Sequence, residues 1–216
     1  MRLKPREAFN SISHQVGALF SLIITLLYFL YSKGEHPGST WSLGVYGIST
    51  FGMFLASALY HGVHASADTI ARFRKLDHIM IYVVIAGGYT PIAVTVLPTP
   101  TGFYVLISIW VFAALGIFKK LFWMHAPSWL STLIYLLMGW VSVFILPDIW
   151  ANTSTLFLKG IIIGGLFYTV GAFIYGFKKP NPWPQHFGFH GLWHMFVLAG
   201  AASHLLAHLF FFTSLG

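Results

Sequence analysis

The sequence predicts an all-α integral membrane protein: a seven-transmembrane helix bundle with its N-terminus cytoplasmic and its C-terminus outside. Three observations predict it. Of the 216 residues, 57% are hydrophobic and only 8% charged, against about 25% charged in a soluble domain. That charge cannot coat a water-soluble globule, and intrinsic disorder needs the opposite composition. Apolar stretches near the roughly 20 residues that cross a bilayer occur seven times. Lysine and arginine also alternate from one inter-span segment to the next.

The stretches are residues 15–31, 41–60, 79–97, 102–118, 129–146, 156–177 and 189–213. They leave only short connections, so residues 1–216 read as a single seven-helix membrane domain. Each is a continuous run, not the alternating ten-residue pattern of a lipid-facing β-barrel. Arg2, Lys4 and Arg6 before the first stretch resemble a signal-peptide n-region. The apolar run is long for a signal and no small-residue cleavage site follows, so it reads as a retained span. In the third stretch, Gly87, Gly88 and Pro91 predict a kink. Pro98, Thr99, Pro100 and Thr101 then form the turn to the fourth. Trp123 and Trp129 around the fourth connection, with Trp41 and Trp150 at the other ends, read as interface anchors. In the sixth, Gly164, Gly165, Gly171 and Gly176 predict close helix contact.

Orientation follows from the basic residues. Arg2, Lys4 and Arg6 precede the first span; Arg72, Arg74 and Lys75 fall in the second connection; Lys119 and Lys120 in the fourth; Lys178 and Lys179 in the sixth. Only Lys33 and Lys159 remain for the other side. The net charge of +7 is therefore a topology signal placing the N-terminus in the cytoplasm. Small juxtamembrane clusters do not make the continuous basic stripe of a nucleic-acid binder. The expected setting is a multi-pass plasma membrane. Membrane lipid is the environment and candidate substrate. No nucleic acid and no soluble protein partner is expected, and the oligomeric state is left open.

Eleven histidines against five acids is the anomaly in this composition. With no cysteine, thiolate chemistry is excluded. On the predicted topology, His61 ends the second span, Asp77 and His78 open the third, and His186, His190 and His194 open the seventh. Glu7, Asn10 and His14 lead into the first at the same level. His190 and His194 are four residues apart and share a helix face. Such a pair can grip one metal ion, and His61 is the natural third ligand from another helix. Three protein ligands with an open position for water describe catalytic zinc, and histidines without carboxylate or thiolate fit zinc best among common metals. Zinc makes hydroxide available near neutral pH. Asp77 could hold or shuttle the water's proton, and Ser57, one turn before His61, could stabilise a developing oxyanion. His14, His36, His64, His78, His125 and His186 read singly as interfacial or as bonded to a neighbouring carbonyl or serine. His204 and His208 lie too far along the helix to share this site and could line a polar path; Ser203 offers His204 a local hydrogen bond.

These residues also carry a resemblance. Glu7-x2-Asn10-x3-His14-x2-Gly17 resembles the opening signature of the hemolysin III family, the bacterial branch of the progestin and adipoQ receptor (PAQR) superfamily. Ser57-Ala58-Leu59-Tyr60-His61, Arg74-Lys75-Leu76-Asp77-His78, Ala86-Gly87-Gly88-Tyr89-Thr90-Pro91 and Phe187 through Val197, followed by His204, continue it. The resemblance implies a seven-helix bundle with a cytoplasmic N-terminus and zinc near the cytoplasmic leaflet. Adiponectin receptors have three histidine ligands matching His61, His190 and His194, an aspartate acting through water matching Asp77, and a serine matching Ser57. Alkaline ceramidases share the set, which implies hydrolysis of lipid amides. The chain has no long N-terminal extension of the adiponectin-receptor kind, which argues against a hormone-receptor role. The expectation is a zinc-dependent hydrolase of lipid amide or ester bonds. The alternatives are a non-catalytic membrane sensor or regulator with structural zinc, and a cytolytic, hemolysin-like protein.

Overall fold

A computed structural model describes residues 6–32, 38–124, 126–185 and 187–213. Arg2, Lys4, Lys33, Glu35, His36, His125 and His186 lie outside the described residues. The order is α1 (Ala8–Tyr31), α2 (Ser39–Gly62), α3 (Ala67–Thr95), α4 (Thr101–Phe122), α5 (Ser128–Trp140), α6 (Ser142–Asn152), α7 (Thr155–Phe177) and α8 (Phe189–Phe212). Helices α5 and α6 together make one crossing, Trp129–Asn152, so seven segments are long and apolar enough to cross a membrane. This is a multi-pass, all-helical bundle.

Two boundaries differ from the sequence reading in ways that matter. Helix α3 begins at Ala67, twelve residues before the apolar run starts at Ile79. Ser66 caps it, its side chain accepting from the Thr69 amide, and Asp68 sits in the favourable first turn. Arg72, Arg74 and Lys75 therefore stand on helix and not in a loop. Hydropathy marks where lipid begins, whereas capping marks where helix begins. The fifth crossing breaks at Val141. The Tyr89 hydroxyl reaches the carbonyls of Met138 and Gly139 at 2.9 and 2.6 Å, and the Ser142 hydroxyl also donates to Gly139 at 2.8 Å. Carbonyls freed by a break at membrane depth need such partners. The Gly87–Gly88–Pro91 segment does not end α3, which continues to Thr95; both glycines pack on α2, Gly87 against Ser49 and Gly88 against Tyr46.

Helix α1 packs on α2 and α8, α2 on α3, α3 on α4 and α5, α5 on α7, and α7 on α8, which closes a ring. Buried hydroxyls tie its members: Tyr28 donates to the Leu205 carbonyl at 2.7 Å, Ser11 to Ala58 at 3.0 Å and Ser203 to Gly160 at 2.8 Å. Of the four glycines expected to bring α7 close to a neighbour, Gly164 meets His204 and Gly171 meets Phe196 and Trp193, whereas Gly165 and Gly176 face no atom within 4 Å. The tryptophans read as anchors, Trp41, Trp123, Trp129 and Trp150, are all exposed on the outer surface.

The tightest small-residue contact is between α1 and α2. A side chain at Gly47 would fall on Thr25, with Thr25 Cγ2 only 2.8 Å from the new carbon. Thr25 is buried and its hydroxyl is committed to the Ser21 carbonyl at 2.6 Å, so it cannot easily move aside. Gly47→Ala should therefore destabilise the bundle by about 1–3 kcal/mol, the usual cost of overpacking. Unfolding of the purified protein in mixed micelles checks this; wild-type stability would show that α1 and α2 can separate freely.

Candidate metal centre

Two helices bring three histidines together at the charge-rich end of the ring. His61 comes from the last turn of α2, and His190 and His194 from the first two turns of α8. One nitrogen of each lies within 4.8 Å of the others, a group that could hold a metal ion. His61 and His194 are each 2% exposed. Nε2 of His61 and Nε2 of His190 face each other at 3.4 Å. Two nitrogens about 2.05 Å from a tetrahedral zinc would stand ~3.3–3.4 Å apart, so this pair already has the spacing the ion would require. His194 Nδ1 is buried without a hydrogen-bond partner, which leaves a donor atom uncommitted. The residues fit the group that the spacing implied.

Glu7, which the sequence reading placed only at the right level, has a definite part here. His61 Nδ1 donates to Glu7 Oε2 at 2.8 Å. That bond fixes the tautomer, leaving the Nε2 lone pair for the centre. The same bond, helped by Arg6 at 3.0 Å and Asn10 at 3.0 Å, holds the Glu7 carboxyl at about 2 despite its partial burial. Glu7 is thus ionised through the neutral range, as a carboxylate supporting a ligating histidine should be. The backbone reinforces the placement, with the Glu7 amide donating to the His61 carbonyl at 2.9 Å. Glu7→Ala should weaken metal affinity about 10–100-fold, the usual loss for such a supporting group. Competition with a chelator of known affinity measures it, and unchanged affinity would separate this pair from metal holding.

His14 departs from expectation. The sequence alone suggests an interfacial histidine, or one bonded to a neighbouring carbonyl or serine. Instead it is 3% exposed, neither ring nitrogen has a hydrogen-bond partner, and its ring stacks on His194 with centroids 3.7 Å apart. It holds the plane of His194 from the α1 side, yet it stands outside the three-histidine group. The signal was available: His14 is the α1 histidine at the same depth. Spacing alone could not bring α1 against α8.

Asp77 and Ser57 also reach the centre's neighbourhood. The Ser57 hydroxyl faces the Asp77 carboxyl, and both line one cavity with His14, His190 and His194. Asp77 is not among the clustered ligand atoms. The cavity, about 740 Å³, runs between the helices as far as His204 and His208. His78 follows its sequence reading: its Nδ1 donates to the Arg74 carbonyl at 2.7 Å. His204 donates to Ile161 on α7 at 2.9 Å, while Ser203 is committed to Gly160, so the expected local bond between them does not form. His208 donates through Nδ1 to the His204 carbonyl at 2.8 Å.

A family model described as Haemolysin-III related matches residues 3–205. The chain is 35% identical over 209 residues to the Hemolysin-3 homolog of Bacillus subtilis (strain 168), covering 95% of this chain and 93% of that protein. It is 33% identical over 206 residues to Hemolysin-3 of Bacillus cereus, covering 95% and 91%. With the Monocyte to macrophage differentiation factor of Homo sapiens it shares 26% over 167 residues, covering 76% and 67%. The family match takes in Glu7, His14, Ser57, His61, Asp77, His190 and His194, the residues at and around the candidate centre, and the chain belongs to the haemolysin-III related family.

Proposed function

We propose that the protein is a zinc-dependent hydrolase of lipid amide or ester bonds, seated in the bacterial plasma membrane and acting at the cytoplasmic leaflet. The observation that carries this reading is the facing pair of imidazole nitrogens at 3.4 Å, beside Asp77 and Ser57 on the wall of a lipid-sized cavity. His61, His190 and His194 would hold the ion, which when bound supplies Lewis acidity and lowers the pKa of a coordinated water towards ~7.

The protein's own groups do the remainder. Glu7 and His14 fix the orientations of His61 and His194. The Asp77 carboxylate accepts a proton as water adds to the carbonyl carbon. It returns that proton to the leaving nitrogen or oxygen as the C–N or C–O bond breaks. The Ser57 hydroxyl donates to the oxygen that gains negative charge. Apolar helix surfaces around the cavity hold the alkyl part of the substrate and limit bulk water.

The basic bias of the connections supports the cytoplasmic assignment, and the three-donor set without thiolate supports zinc over other metals. The test is metal analysis of purified protein, followed by turnover of a panel of lipid amides and esters before and after chelation. Turnover lost on chelation and regained with zinc is expected. A full complement of metal with no turnover of any amide or ester would leave the centre as a clamp between α2 and α8.

A further inference from the structure

The same cavity has a wall of charge that the hydrolytic reading does not use. Arg74 and His78 on α3, Lys120 on α4, and Ser131 and Thr132 on α5 line it beside Asp77. Arg74 and His78 are four residues apart, on one helix face. Lys120 is 3% exposed, and no salt bridge among the described residues includes it. Asp77 is the sole acid among the described residues lining this cavity. His78 Nδ1 stands 3.7 Å from that carboxyl.

Two cationic side chains, Arg74 and Lys120, therefore share one carboxylate on this wall. Holding an ammonium group out of bulk water without a counter-charge is unfavourable, and a low-dielectric cleft lined by one sign of charge concentrates the opposite ion. Arg74 is exposed, which puts its charge at the cavity mouth, and Lys120 stands in the last turn of α4. Behind it the wall turns apolar, through Ile81, Val84, Leu136 and Val143.

We propose that Arg74 and Lys120 form an anion subsite at the cavity mouth, selecting amphiphiles whose phosphate or carboxylate group binds there while the alkyl part enters the cavity. This rests on the reading of the cavity as the substrate site, and it narrows the substrate class to acidic lipids. The subsite is distinct from the histidine centre. Ser131 lines the same cavity, its buried hydroxyl accepting from Lys119 at 3.4 Å, and Lys120 supplies three donors on a flexible stem.

Binding to the full-length chain in a neutral maltoside detergent tests this without reference to turnover. The probes are dodecyl phosphate, dodecanol and inorganic phosphate, measured by titration calorimetry. Dodecyl phosphate should bind at one site per chain, about tenfold or more tighter than dodecanol or inorganic phosphate, because charge-assisted hydrogen bonds are the strong ones. Arg74→Gln and Lys120→Met should each weaken it about tenfold, and Lys120→Arg should restore most of the affinity. Arg74 is exposed, so its variant tests the subsite even if Lys120→Met fails to fold. His194→Ala, which removes a proposed metal ligand, should bind dodecyl phosphate within about threefold of wild type. Binding untouched by both charge variants, or lost in His194→Ala alone, would place the anion on the histidines and overturn the proposal. Inorganic phosphate binding as tightly as dodecyl phosphate would overturn its amphiphile part. Absence of any hydrolysis, with dodecyl phosphate binding intact and sensitive to Arg74, would sink only the catalytic reading.

Discussion

His194→Ala should purify without stoichiometric metal and lose the stabilisation that added zinc gives the wild type. With one of three protein donors gone, affinity should drop by more than the roughly 100-fold that loss of a supporting residue can cause. At free metal 100 times the wild-type dissociation constant, linkage gives the wild type about 2.7 kcal/mol of stabilisation; the variant should show almost none. His194 is the sharpest position for this test because it is buried, keeps an unpartnered nitrogen and lies at the centre of the ring contacts. Its centroid is 4.8 Å from that of His61, 4.9 Å from that of His190 and 3.7 Å from that of His14. His14→Phe is the matched control, since it retains a stacking ring but no donor atoms and should keep its metal. Thermal unfolding with and without zinc, alongside elemental analysis, reads both variants. Metal retained at one per chain in both His194→Ala and His190→Ala would remove these residues as ligands.

The fold was legible because lipid imposes a simple rule on sequence: a crossing needs a long apolar run. All seven runs became helices or, in the fifth, a pair of them. Helix ends were less legible, because α3 starts on a polar cap far outside its apolar run. The Val141 break could not be foreseen either, since it depends on Tyr89 arriving from another helix to take up the carbonyls. Within the candidate site, His190 and His194 were readable from spacing along one helix, and His61 from depth. Glu7 and His14 were at the right level in the sequence, but their roles are tertiary. Glu7 reaches His61 because the α1 N-terminus packs against the α2 C-terminus. His14 reaches His194 because α1 packs between α2 and α8. Spacing resolves partners on one helix; partners across helices appear only when the ring closes.

Asp77→Asn should separate holding the metal from using it. The substitution keeps the size and hydrogen-bonding reach of the side chain but removes its capacity to take a proton at neutral pH. If Asp77 serves the attacking water, turnover should fall by about 10²–10⁴-fold, the range of general acid–base contributions, while metal content stays at the wild-type level. Retained metal is expected because the Asp77 carboxyl lies outside the group of ligand atoms that cluster within 4.8 Å. Ser57→Ala gives an independent reading on the same wall: loss of one donor to the developing oxyanion should cost about 10²–10³-fold, again with metal intact. The two effects should not add, because Ser57 faces the Asp77 carboxyl and groups acting as a unit are non-additive. The double variant should therefore resemble Asp77→Asn alone. Simultaneous loss of metal and turnover in Asp77→Asn would make the carboxylate a support for the ion. Turnover unchanged in both variants would take this wall out of the chemistry and leave the histidines as a structural tie between α2 and α8.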